Sequence, residues 1–296
     1  MSVTNSKLLR GYLFVIVSAV IYGCMPLMAK FIYTDGVNSM TLVFLRNLLA
    51  LPVLLILALR QQKSLKFTPK ALPSMCLIAL LGCCITPTLL FSAYSYIASG
   101  TATVLHFIYP AVVVVGGILF LRERTNVGTL ISVAICIAGI CLFYTPGEPL
   151  DWRGSLLALA SGFTFAAYVL LLPRFQYREI TGFFFTFCLS SISSVMMLIF
   201  CVATGQLMLP QTLTGWGLCL LFAVAVTAVA VVLFQQGTFL VGSQRASILS
   251  TLEPITGVLI GIIVFNEPAA FRVVLGSALV ISASILIAVL GMRKMK

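Results

Sequence analysis

Apolar residues along the 296-residue chain gather into long runs, separated by short stretches with charged residues or Gly/Pro punctuation. The runs predict helices near 11–33, 39–59, 71–97, 101–121, 126–144, 153–173, 180–204, 213–241, 244–265 and 270–291. A bilayer core about 30 Å thick needs roughly 20 apolar residues per helix, so each run is long enough, or nearly so, to span. The fold class expected is therefore an all-α membrane protein with ten transmembrane helices. The first run follows Lys7 and Arg10 like the start of a signal peptide, but it has no small-x-small cleavage site and continues to Tyr33, so a retained helix is expected.

Composition makes lipid the solvent: 61% of residues are hydrophobic, 8% are charged, and the mean hydropathy is +1.15. The net charge of +11 does not point to nucleic acid, because the basic residues are scattered through short loops. With a cytoplasmic N-terminus, the inner segments hold Lys7, Arg10, Arg60, Lys63, Lys66, Lys70, Arg122, Arg124, Arg174, Arg178, Arg245, Arg293, Lys294 and Lys296. The outer segments then hold only Lys30, Arg153 and Arg272. This asymmetry predicts a multi-pass protein of the cytoplasmic (inner) membrane with both termini in the cytoplasm. The nine cysteines all fall within apolar runs without C-x-x-C spacing, so neither a disulfide framework nor a metal site is expected.

The chain also repeats itself. A shift of 144 positions aligns Ser99 with Ser243, Ala102 with Ala246, Leu105 with Leu249, Pro110 with Pro254, Gly117 with Gly261 and Glu123 with Glu267. A shift of 143 aligns Gly11 with Gly154 and Ser18 with Ser161. Two five-helix halves are expected, 1–146 and 147–296, and an odd number of spans in each copy inverts the second relative to the first. Inverted repeats suit secondary transport, because two equivalent halves can exchange conformations around a site between them.

The motifs "YPAVVVVGGILFLRE" (Tyr109 to Glu123) and "EPITGVLIGIIVFNE" (Glu253 to Glu267), each followed by a helix rich in small residues, resemble the drug/metabolite transporter superfamily. Within it the chain is similar to the EamA-type ten-helix carriers. The segment "YGCMPLMAK" resembles that family's Trp-Gly...Lys segment, with Tyr22 in place of tryptophan, and Arg46 matches an arginine common in the second helix. The resemblance covers essentially the whole chain and implies ten helices, two repeats and metabolite transport; it does not specify the solute.

Ionisable side chains within a span are costly, so Arg46, His106 and Glu253 are expected to face the bundle interior. Glu253, just before Pro254, fits either a counter-charge for an ammonium group or a structural acid near the cytoplasmic gate. His106, the only histidine, fits either a proton-accepting role or a ring satisfied by a neighbouring hydroxyl. Arg46 fits a carboxylate partner or a helix anchor. Tyr22 and Phe165 occupy aligned positions, and with Tyr94, Tyr109, Tyr168, Gln235 and Gln236 they complete the candidate substrate-binding set. Glu123 and Glu267 read as helix caps or loop partners. Gly257, Gly261, Gly116 and Gly117 read as close-approach positions, and Gly276 as packing or dimer contact.

The expected function is export or exchange of a small polar metabolite, such as an amino acid or amine, by alternating access. No enzymatic cluster, catalytic residue, metal or cofactor is expected, and no Walker segment couples the chain to ATP. The expected partners are a small-molecule substrate and the lipid bilayer, with no nucleic acid and room for a homodimer. The alternatives are a nucleotide-sugar-type carrier, disfavoured by the scarcity of interior Lys and Arg, and an intramembrane lipid-modifying enzyme.

Overall fold

The computed structural model describes residues 5–61, 69–97, 99–122, 125–142, 151–175, 182–265 and 271–293, and among these the regular structure is entirely helical. Ten helical segments follow in order. The first half holds α1 (Asn5–Gly23 continued by Met25–Tyr33), α2 (Ser39–Gln61), α3 (Pro69–Ala93), α4 (Ser99–His106 and Tyr109–Leu121) and α5 (Val127–Cys141). The second holds α6 (Trp152–Leu171), α7 (Gly182–Ala203), α8 (Leu213–Val241), α9 (Ser243–Leu249 and Leu252–Phe265) and α10 (Phe271–Arg293). Among the described residues, α1 to α4 and α6 to α8 have the length and apolar character to cross a membrane, and α5 is a shorter apolar helix. Glu123 and Glu267 lie outside the described residues.

Three segments are broken where the apolar pattern predicted one continuous helix, and each break precedes a proline: Pro26 in α1, Pro110 in α4 and Pro254 in α9. Proline has no N–H to donate, and its ring crowds the carbonyl four residues back. The carbonyls that lose this bond are those of Tyr22, His106 and Ser250, and that of Ser250 accepts from the Glu253 amide at 3.0 Å instead.

The helices pack with the symmetry that the repeat implies. Exchanging α1–α5 with α6–α10 leaves the contact pattern intact: α2 packs on α7 and α5 on α10, α1 packs on α8 as α6 does on α3, and α1 packs on α9 as α6 does on α4. The aligned glycines show why. A Cβ on Gly11 would lie 2.6 Å from Val241 Cγ1, and one on Gly154 would lie 2.7 Å from Tyr96 Cβ, so both halves use a missing side chain to bring α1 and α6 against their partners. Gly257 faces Gly23 across the α1–α9 contact, and Gly276 offers its carbonyl surface to Gly139 across α5–α10, a packing role within one chain.

Loops meet at both ends of the bundle. At one end Asp35 accepts hydrogen bonds from the Gln211 and Thr212 amides (2.9 and 3.2 Å) and the Thr212 hydroxyl (2.8 Å), while Asn38 donates to the Gln206 carbonyl at 2.7 Å. At the other end the Phe183 amide donates to Gln61 Oε1 at 3.2 Å. These contacts put the α1–α2 and α7–α8 loops on one face and the end of α2 and start of α7 on the other, as ten alternating spans require. The bonds that Asp35 receives, the one from the Thr212 hydroxyl foremost, hold its carboxyl below the usual range, with no help from burial.

Candidate functional site

A cavity opens where α1, α2, α3, α4, α6, α8 and α9 converge. Five of its lining residues carry aromatic rings: Tyr22 from α1, Phe91 from α3, His106 from α4, and Phe165 and Tyr168 from α6. Arg46 from α2 and Glu253 from α9 supply the ionisable groups of opposite type. About 60 Å³ is open to the centres of water molecules, room for a few waters but far less than the several hundred Å³ of a typical solute site.

The two charges occupy different parts of the wall. Arg46 is 4% exposed, its guanidinium carbon stands 5.9 Å from the centre of the Phe91 ring, and its Nε has no hydrogen-bond partner among the described residues. Glu253 lies in the first turn of the second piece of α9, with its amide bonded to the Ser250 carbonyl at 3.0 Å. Among the described residues no ion pair joins Arg46 to Glu253.

The α6 side of the wall is a run of rings. His106 sits 5.3 Å from Tyr109 and 5.5 Å from Phe165, Tyr109 meets Phe165 edge-on at 4.8 Å, and Phe165 leads on to Tyr168 at 5.6 Å. His106 Nδ1 lies 2.8 Å from Ser161 Oγ, and that hydroxyl donates to the Ala158 carbonyl at 2.6 Å. With the serine proton committed, Nδ1 is the donor of the pair, and Nε2 is left as the acceptor on the ring that lines the cavity.

The remaining candidates stand behind the wall rather than in it. Gln235 is fully buried: it accepts from Thr186 Oγ1 at 2.7 Å and donates from Nε2 to the Tyr168 hydroxyl at 3.2 Å, so it fixes a lining ring without lining the cavity itself. Tyr109 packs against His106 and Phe165, and Tyr94 packs against Phe91 at 6.0 Å. Gln236, the neighbour of Gln235, does not line the cavity, and its Nε2 is buried without a partner among the described residues. Sequence reasoning missed Gly82, Cys83, Phe91 and Thr86 of α3, which form the floor opposite α6. The signal was present in Gly82 and Pro87, a glycine and a proline inside one apolar run. A Cβ on Gly82 would collide with the Tyr168 ring, so only glycine lets that ring lie against α3.

The all-helical fold of long apolar segments is that of a polytopic membrane protein, and the relatives of the chain make it a transporter rather than an enzyme. The profile of the EamA-like transporter family matches residues 9–145 and again 152–289, so the chain belongs to that family. It is 25% identical over 300 residues to a protein of Salmonella typhimurium described as the uncharacterized inner membrane transporter YicL, covering 96% of this chain and 97% of the relative. An uncharacterized transporter of Archaeoglobus fulgidus is 28% identical over 200 residues, 66% of this chain and 70% of the relative. A solved crystal structure superposes with a TM-score of 0.76 across 96% of this chain and 98% of that one, at 16% identity, which shows the shared fold.

Proposed function

We propose that the protein is a secondary transporter that exports or exchanges a small zwitterionic or amine metabolite of the amino-acid type, by alternating access between two inverted five-helix repeats. It would lie in the cytoplasmic membrane with both termini inside, the orientation favoured by its loop charges. The observation that carries the reading is the pair of ionisable groups of opposite type on one cavity, the Arg46 guanidinium and the Glu253 carboxyl, with no ion pair between them. A buried charge without a partner is strongly unfavourable, so each pole gains most from a solute group of opposite sign. An amino acid offers both groups in one small body: the ammonium to Glu253, the carboxylate to Arg46, and its side chain to the rings. A heavily phosphorylated nucleotide-sugar suits the site less, since Arg46 is the cationic group on the described wall apart from the neutral-capable His106.

His106, held through Nδ1 by Ser161, adds a polar ring to the half opposite Glu253. The test is reconstitution in liposomes with a screen of labelled amino acids and amines, with and without a pH gradient. Saturable uptake of at least one zwitterion or amine above empty liposomes is expected. If the folded protein moved none of them but moved nucleotide-sugars, the proposed solute class would be overturned.

A further inference from the structure

Two stretches of the bundle leave the ordinary α-helical register for wider π-turns: Ala79–Ile85 in α3 and Ala223–Val231 in α8. They start 144 positions apart, the same shift that superposes Pro110 on Pro254. Helical π-segments are rare and are found mostly as single turns at functional places, because the extra residue weakens the local ladder of hydrogen bonds. Finding one at the same position of both halves makes it a feature of the repeat rather than a local accident. Both border the cavity, α3 through Gly82 and Cys83 and α8 through Val231.

We propose that these two π-turns are the paired hinges at which α3 and α8 bend as the halves exchange conformations, a mechanism that rests on the transport reading above. The cavity as it stands admits only a few waters, so a solute can enter only if the walls part. A hinge in lipid must keep its backbone groups bonded while it moves, since an orphaned carbonyl there is costly. The surroundings of both turns supply that.

At the α3 turn, Pro87 cannot donate back to the Cys83 carbonyl, and Asn47 Nδ2 reaches it instead at 3.4 Å, while keeping a 2.8 Å bond to the Val43 carbonyl of its own helix. At the α8 turn, Ser18 Oγ donates to the Ala230 carbonyl at 2.9 Å. Spare groups lie on the same packed helices: Asn47 Oδ1, Ser190 Oγ, Ser193 Oγ and Thr227 Oγ1 are buried without a hydrogen bond of normal geometry among the described residues. Thr227 lies within the α8 turn and occupies the position equivalent to Cys83. As the turns change register, the three hydroxyls can donate to freed backbone carbonyls and Asn47 Oδ1 can accept a freed backbone N–H.

One side chain ties both hinges to the site. The Tyr168 ring lies against Gly82 in the α3 turn, and its hydroxyl is held by Gln235, four residues beyond the α8 turn. A solute that displaces this ring acts on both hinges at once.

The test needs no solute, so its outcome is independent of whether amino acids are the cargo. Hydrogen exchange is measured on the full-length protein in lipid nanodiscs, wild type and Asp35→Cys/Thr212→Cys, with the new thiols oxidised and then reduced. Thr212 Oγ1 and Asp35 Oδ1 are 2.8 Å apart, within reach of a cross-link that clamps one face of the bundle. Oxidised wild type controls for the native cysteines. A second clamp, Asn38→Cys/Gln206→Cys, keeps Thr212, whose hydroxyl caps the start of α8 by accepting from the Gly215 amide at 3.0 Å, and replaces the first pair if that variant fails to fold.

In the unclamped protein, amides of 79–85 and 223–231 are expected to exchange at least about tenfold faster than those of 86–93 and 213–222 in the same helices. Clamping should slow both turns by a similar factor, and reduction should restore them. The α3 turn is decisive, because neither clamp touches its helix. If 79–85 exchanged no faster than its flanks, or exchanged at the same rate clamped and free, the hinge assignment would be wrong.

Discussion

At the scale of single residues, the account turns on which side chains touch solute and which hold those that do. Glu253→Gln keeps the shape of the side chain and removes its charge, so it should reduce transport of a zwitterion at least about tenfold with no loss of folded protein, because the solute ammonium then enters low dielectric unpaired. Uptake by proteoliposomes, with a thermal melt as the folding control, measures this. Gln235→Met should act differently. It unties Tyr168 from Thr186 and leaves both polar groups buried, costing about 1–3 kcal/mol of stability along with solute affinity.

Arg46, His106 and Glu253 were legible as interior residues because lipid makes any ionisable group conspicuous, and all three line the cavity. Their neighbours were less legible. Tyr94, Tyr109 and Gln235 have the chemistry of a binding site, yet sequence alone does not say which face of a helix meets the cavity and which meets another helix. Gln235 is spent on Tyr168, and Tyr109 on the rings of His106 and Phe165.

At the scale of elements, the apolar runs placed ten helices closely, and the repeated prolines marked α4 and α9, but the breaks before Pro26 and Pro110 and the π-turns were not read. Hydropathy is blind to them: "ALLGCCI" and "AVAVTAVAV" are as apolar as any neighbouring stretch, and their register is set by what packs around them. Gly82→Ala probes this packing directly. Its methyl would drive the Tyr168 ring from the wall, so the variant should fold with reduced stability and lose solute affinity more than Gly217→Ala, where a methyl meets open space.

The Asp35 latch belongs to the same scale. Its folded pKa is lowered, so its contribution is fully present above the ordinary carboxylate value near 4 and is lost as the pH falls through the lower folded value. Between pH 5 and 8 the latch should be insensitive to pH, and Asp35→Asn should leave the pH profile of transport unchanged in that range. Uptake measured across that range checks this.

At the scale of the whole molecule, the repeat read from "YPAVV" and "EPITG" reappears as a contact pattern that survives exchange of the two halves. What the repeat does not preserve is the site itself: Tyr109 occupies the position of Glu253, Phe165 that of Tyr22, and His106 that of Ser250. The halves share one architecture but place the carboxylate on one side and the imidazole on the other. Under the proposed function, such a division would orient a polar solute, which a fully symmetric site could not do.

The most direct test of the central claim is discrimination between solutes that differ in one charge. Once a transported amino acid is found, its uptake is compared with that of its amide, which lacks the carboxylate, and of its N-acetyl derivative, which lacks the ammonium. The wild type should prefer the zwitterion by at least about tenfold over either, the value of one well-placed charge contact. Glu253→Gln should lose the preference over the N-acetyl derivative alone, and Arg46→Gln the preference over the amide alone. If both variants kept the wild-type pattern of preference, Arg46 and Glu253 would not be the two poles of the site.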